Sequence, residues 1–236
     1  DELTNTYTSL ETALTLVTSG TIYLYDTVDV DGSLTIPENV TVQFNEDVSG
    51  KSINVGKDDI LTVNGTLYVN SPNTGSNTLS VTDNGKVVIN NMIVFDNDDF
   101  TSNPSIPGVY LEDATIGDYE DKYFVTSPAV AAENSSTYNG TMTVYGEVSM
   151  GDLTFTEGED NELVIVISNQ PDDVTTAGTI TLVGGVQFQA GANCKFTGTV
   201  QSDVSAGMSS IQFEEATYFE VTVDSEENAD GTSTTT

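Results

Sequence analysis

Three aspartates in a run of four residues, Asp96, Asp98 and Asp99, are the side chains in this sequence best spaced to hold a ligand. Calcium takes several oxygen ligands, and alternate loop carboxylates can supply them. Asp29 with Asp31, and Asp118 with Glu120 and Asp121, repeat the pattern less fully. None has the glycine and the downstream glutamate of an EF-hand loop, and a solvated acidic loop is the plainer account of any single cluster. Calcium is the one cofactor the sequence suggests.

The rest of the chemistry is bounded by what the chain lacks. It has no His, no Arg and no Trp. A Ser-His-Asp triad, a Cys-His pair and an imidazole metal ligand are therefore impossible. No guanidinium is present to clamp a phosphate or carboxylate substrate. A carboxylate pair for glycoside hydrolysis is harder to dismiss, since Asp and Glu number 37, yet no spacing singles out a pair. The expectation is a protein that is not an enzyme. Cys194, alone in the chain, is either a small buried hydrophobe or a cross-link between subunits. Sequons for N-glycosylation stand at Asn39, Asn64, Asn134 and Asn139, as many as a chain this rich in Asn, Ser and Thr gives by chance.

Charge narrows the partners. Five lysines against 37 acids leave a net charge of −32 in 236 residues. Nucleic acid and anionic lipid are both bound mainly through Lys and Arg, so neither is an expected partner. Most carboxylates must face water, divalent cations or another solute, and self-repulsion weakens the fold at low ionic strength. No apolar run approaches the ~20 residues needed to span a bilayer. The chain opens on Asp1 rather than Met, which suggests a leader already removed or a fragment boundary. The Thr- and Ser-rich, Lys-poor, acidic composition points outside the cell.

The elements that must position these residues are mostly strands. Leu10, Ala13, Leu14 and Val17 share one helical face, which predicts a short helix within 8–19. Thr8 and Glu11 have capping-box spacing, and Gly20 suits the helix end. The period then changes to two, through Ile22 and Leu24, Val28 and Val30, Leu34 and Ile36, then Val40, Val42 and Phe44. Short strands are expected at Ile53–Val55, Ile60–Val63, Thr66–Val69, Thr78–Val81, Lys86–Ile89 and Met92–Phe95, split by turn formers that include Asn64-Gly65 and Asn84-Gly85. The pattern loosens over 96–140, read as an irregular excursion or junction with short strands at Val109–Leu111 and Tyr123–Val125. Strands resume from Thr141. Leu163 to Ile167 is apolar throughout, as in a strand covered on both faces. The last strand runs from Tyr218 to Val223, and 226–236 reads as a flexible tail.

The order helix, then closely spaced strands, resembles the entry into a parallel β-helix whose end is plugged by a short helix. The residues that carry the resemblance are SLETALTLVTSGTIYL and, after it, SLTIPENVTVQF. Such phrases are similar to those of archaeal cell-surface β-solenoid proteins of the surface-layer and sheath type. The resemblance spans about the first hundred residues and brings no catalytic motif. It implies an all-β fold, a solenoid with an N-terminal capping helix; the chain as a whole is expected to form a single elongated domain, 1–225. Asn-Gly between apolar strands keeps an antiparallel sandwich open as the alternative.

The function that follows is a self-assembling structural subunit of an extracellular layer, sheath or filament. Its partner is a second copy, with glycans or divalent cations as further ligands. Assembly is expected through the terminal strand (Phe219, Val221, Val223), the plug helix (Leu10, Leu14) and Cys194, because an uncapped terminal strand is an edge that pairs unless protected. Outward tyrosines, among them Tyr23, Tyr25, Tyr68 and Tyr145, suggest the alternative of a monomeric adhesin or carbohydrate-binding module.

Overall fold

Val is the commonest residue from Ile22 to Phe95, and with Ile and Thr it favours an extended backbone with one face to bury. The computed structural model describes residues 5–70, 76–82, 84–96, 106–146, 148, 153–156, 158, 163–170, 173–182, 185–188, 193–195, 198–202, 210–213, 219–220, 225–227 and 233–235, with side chains as far as Ile165. The chain is all-β in class, with parallel sheets and, among the described residues, two short helices, α1 (Leu10–Leu16) and α2 (Pro128–Asn134). It divides into two compact units, Asp1–Ile106 and Pro107–Thr236.

In the first unit α1 precedes β1 (Gly20–Leu24), β2 (Val28–Val30), β3 (Ser33–Ile36), β4 (Val40–Phe44), β5 (Ser52–Val55), β6 (Ile60–Val63), β7 (Thr66–Val69), β8 (Thr78–Val81), β9 (Lys86–Ile89) and β10 (Met92–Phe95). Each of β1 to β7 pairs in parallel with the strand three places later. Three parallel runs result: β1-β4-β7-β10, β2-β5-β8 and β3-β6-β9. Register brings like against like. Ile22, Val42, Leu67 and Ile93 form one buried row, Leu24, Phe44, Val69 and Phe95 the next, and Leu34, Leu61 and Val87 a third. Each such side chain taken out of water contributes roughly 1.5–3 kcal/mol, so these rows are the main source of stability here.

Asn64-Gly65 and Asn84-Gly85 close no hairpin. β6 pairs with β3 and β9 rather than with β7, so these dipeptides build none of the antiparallel pairs a sandwich needs in this unit. Gly65 is required for room: a Cβ there would lie 2.2 Å from the carbonyl oxygens of both Pro37 and Val40, in the turn stacked against it. At Gly85 it would lie 2.4 Å from the Val55 oxygen. Polar side chains bond between stacked turns in the same way. Asn54 Nδ2 donates to Asp29 Oδ1 at 2.6 Å and Asn90 Nδ2 to Asn64 Oδ1 at 2.7 Å.

The helix is shorter than expected and capped differently. Ser9, not Thr8, is the N-cap, its Oγ accepting from the Thr12 N–H at 3.3 Å. Thr12 is the third helical residue, so the hydroxyl one position later than the capping-box pattern is the one in reach. The helix ends at Val17 in an extended conformation. Gly20 instead turns the chain into β1 with φ +101°, a conformation that glycine adopts without strain.

The second unit contains β11 (Gly108–Ile116), β12 (Tyr119–Thr126), β13 (Gly140–Tyr145), β14 (Leu153–Phe155), β15 (Leu163–Gln170), β16 (Asp173–Leu182), β17 (Gly185–Phe188), β18 (Asn193–Lys195), β19 (Gly198–Ser202), β20 (Ser210–Phe213), β21 (Phe219–Glu220), β22 (Ser225–Glu227) and β23 (Ser233–Thr235). Within the stretch read as irregular, β11 and β12 form a long antiparallel pair about Gly117, and α2 follows. The signal was hidden because polar residues interrupt both strands at a register shift between Leu111 and Ala114. Ser127 caps α2 and Pro128 supplies its first turn, where a missing N–H costs nothing. β13 is antiparallel to β11 and parallel to β15. Parallel pairs follow, β14-β17-β20, β15-β18-β21 and β16-β19, while β16 runs antiparallel to the end of β15. Leu163 and Ile165 are buried. β22 and β23, in the region read as a tail, pair antiparallel with each other.

One buried hydroxyl ties this unit together locally. Tyr138 Oη accepts from the Glu112 N–H at 3.2 Å and lies 3.1 Å from the carbonyl oxygens of Glu112 and Thr141. Burial first, then the nearby charges of Glu112 and Asp113, push its pKa up to about 12, against the hydrogen bond from Glu112. A raised pKa means the neutral phenol stabilises the fold fully below its unfolded value of about 10, and that contribution is lost as pH rises toward 12. Tyr138→Phe is therefore expected to melt lower than the parent at pH 8, and the gap should close between pH 10 and 12. Thermal melting by circular dichroism across that range checks it.

Candidate functional site

Among the described residues, strand edges at the N-terminal end of the first unit have backbone groups without a strand partner. β1, β2 and β3 each have one strand partner among the described residues. Gly20 N–H donates to Asn39 O and Leu24 O accepts from Asn45 N–H, so the even-numbered residues of β1 face β4. The N–H groups of Thr21 and Tyr23 then point off the open edge, since parallel strands alternate their bonding sides. On β3, Gly32 O and Ile36 O accept from Ile60 and Asn64, which turns Ser33 and Thr35 outward in the same way.

A concavity of about 940 Å³ lies along this rim, lined by residues 5–11 and 13 and by an unbroken run from Leu16 to Asp29. Leu16 at 64 % and Tyr25 at 52 % exposed are the large apolar surfaces beside it. Its charged side chains are Glu11, Asp26 and Asp29. Asp26 is held by Lys51 Nζ at 2.7 Å, and that hydrogen bond, with one from the Thr27 N–H, keeps its carboxyl below the ordinary range. The pair is exposed, so screening by water leaves it a weak contributor to stability.

The outward face of β1, β4 and β7 carries a second set of polar groups. Tyr23, Gln43 and Tyr68 occupy one register row, all half-buried. Asn45 Nδ2 donates to Tyr25 Oη at 3.3 Å, and Tyr68 Oη donates to Asp96 Oδ1.

The residues singled out from sequence fall unevenly. Asp96 is half-buried and engaged by Tyr68, while Asp98 and Asp99 lie outside the described residues. Among the described residues no three His, Cys, Asp or Glu side chains cluster closely enough to hold a metal. Asp29 and Asp31 are exposed, as are Asp118, Glu120 and Asp121. Asn39 and Asn139 are exposed. Asn64 accepts from Asn90, and Asn134 Nδ2 is committed to Val130 O at 2.8 Å. Leu10 is buried with Ala13 and Leu14 is half-buried, so the exposed apolar group of α1 is Leu16. Cys194 and Phe219 are register neighbours on β18 and β21, whereas Val221 and Val223 lie outside the description. No described helix is long and apolar enough to cross a membrane.

Sequence names Tyr23 and Tyr68 as outward, but neither the rim nor the row these two share with Gln43 can be read from it, because both depend on which strands stack. Tyr23 and Tyr68 meet only through Gln43, and the offset is uneven: Ile22 pairs with Val42, but Val42 with Leu67. No protein family, no curated protein and no solved structure matches this chain.

Proposed function

We propose that this protein is a structural subunit of an extracellular layer, sheath or filament, built by adding copies of itself at open strand edges. The first unit is read as successive turns of a parallel solenoid with α1 at its N-terminal end. The observation that supports assembly is the rim: outward N–H groups at Thr21, Tyr23, Ser33 and Thr35 at one end of parallel runs. At the other end of the sequence, β20 and β21 each have one strand partner among the described residues. A contact between unlike edges is head-to-tail, and where its rotation does not close a ring it propagates as a fibre or sheet. Buried aliphatic rows give such a polymer stiffness, and outward carboxylates keep it hydrated and open to bridging by calcium. A chain lacking imidazole and guanidinium is better suited to this than to catalysis.

Like charges oppose the contact, so association should follow ionic strength. Raising salt from about 0.01 to about 1 M shortens the screening length from ~30 to ~3 Å. Sedimentation velocity should show monomer at the low end and growing assemblies at the high end, with calcium acting at lower concentration than sodium. Tyr23→Pro is the matching variant. It removes an outward N–H while leaving the β1–β4 ladder intact, as proline is tolerated on an outward edge position. It should keep the parent's β-rich circular dichroism and stay monomeric in high salt. A parent that remains monodisperse under every ionic condition sinks the proposal.

A further inference from the structure

We infer that the outward face of β1, β4 and β7 is a binding platform for a neutral polysaccharide chain, with Tyr23, Gln43 and Tyr68 as its central row. Register places these three side chains on one face of adjacent strands, with Tyr23 and Tyr68 two strands apart. Two strand spacings amount to about 9.6 Å. An extended β-linked glycan advances by one sugar in nearly one strand spacing, so alternate sugars would meet a tyrosine ring and the one between would meet the Gln43 amide. Aromatic side chains supply apolar area together with a polar tip, the combination a sugar presents in return. Thr21 and Thr41 form a parallel row of hydroxyls on the same face, and Asn45 with Tyr25 borders the other side.

Charge selects the class of glycan. Asp96 accepts from Tyr68 at one end of the row, Lys51 is paired with Asp26 just after β1, and the whole chain carries −32. Uronates, sulfated sugars and phosphate-bearing polymers are repelled. A neutral chain loses nothing, and its hydroxyls can donate to the carboxylates. The platform is bounded on the far side, where the row continues to Val94 on β10 and that residue is fully buried.

This inference is independent of self-assembly, and the experiment keeps the two apart. The intact chain is titrated calorimetrically with cellohexaose, chitohexaose and the hexamer of galacturonic acid, at a salt concentration where sedimentation shows monomer. At least one neutral hexasaccharide should bind saturably and the acidic hexamer should not. Tyr68→Ala and Gln43→Ala should each weaken binding about tenfold or more, while Tyr68→Phe, which keeps the ring, should hold within about threefold. Both alanine variants lie off the open edge, so their salt-driven association should match the parent's. Circular dichroism melts confirm that each variant is folded. Saturable binding unaffected by both alanine variants overturns the proposal, as does absence of heat with either neutral sugar or equal affinity for the acidic one. Failure of self-assembly appears only in sedimentation and leaves the titration untouched.

Discussion

Gly65→Ala is expected to lower stability by about 3 kcal/mol, the upper end for overpacking a close-packed site. In a chain of this size that corresponds to a melting temperature lower by roughly 6–12 °C. The added methyl would start 2.2 Å from two backbone oxygens, Pro37 and Val40, and neither is the movable end of a side chain. Pro37 O already accepts from the Val40 N–H, and the Gly65 N–H is itself bonded to Ile36 O, so relief requires separating two stacked turns. Gly32 is the informative contrast. Its φ of +72° demands a left-handed backbone, yet nothing lies within 4 Å of where its Cβ would be. Gly32→Asn should therefore cost little, because asparagine tolerates that region, and Gly32→Ala about 1 kcal/mol. At Gly65 every side chain should fail alike. Equal losses for Gly65→Ala and Gly32→Ala in thermal melts would show that the turns are not packed against each other as described.

That contrast also explains what could be read in the sequence. Strand positions from Ser52 to Phe95 were legible almost to the residue, because short alternating segments separated by glycine, proline and asparagine carry local signals. Helix α1 was legible for the same reason, through Leu10 and Ala13. What the strands pair with was not. Asn-Gly is a hairpin signal when its glycine is chosen for a positive φ, but at Gly65 it answers to a neighbour some 25 residues away in sequence. The same ambiguity hid which of the outward tyrosines share a row, and it kept the sandwich open. The β11–β12 pair escaped notice for a different reason: Glu112 and Asp113 interrupt its alternation at a register shift, where Asp113 takes a φ of +48°. As for function, composition bore on classes of chemistry, while the rim and the platform depend on geometry that composition does not encode.

The second large effect is expected at Asn77, which is 2 % exposed and uses its whole amide. Its Oδ1 accepts from the Lys51 N–H at 3.0 Å, and its Nδ2 donates to Val48 O and to Asn70 O, both at 2.9 Å. One side chain thus satisfies three backbone groups from two separate connections and the start of β5. Removing it leaves polar groups without partners at about 1–3 kcal/mol each where water cannot replace them. Two of the three are partly accessible, so Asn77→Ala should cost about 3 kcal/mol in total. Asn77→Asp tests the geometry more sharply, because it keeps the acceptor toward Lys51 N–H but turns the donor into a second oxygen facing two carbonyls. The introduced carboxyl is then buried beside acceptors, which disfavours its charged form and raises its folded pKa above the unfolded value of about 3.9. A raised folded pKa makes the variant most stable below pH 4, where the acid is protonated and can donate one bond again. That stability is lost as pH climbs through the folded value. The melting gap between parent and Asn77→Asp should therefore be small at pH 3 and widen toward pH 7, and comparing the two chains at each pH cancels the general relief of self-repulsion that acid brings to both. A gap that stays constant, or narrows as pH rises, would mean that this side chain does not face the Val48 and Asn70 carbonyls, and that these connections are held to the strands by something else.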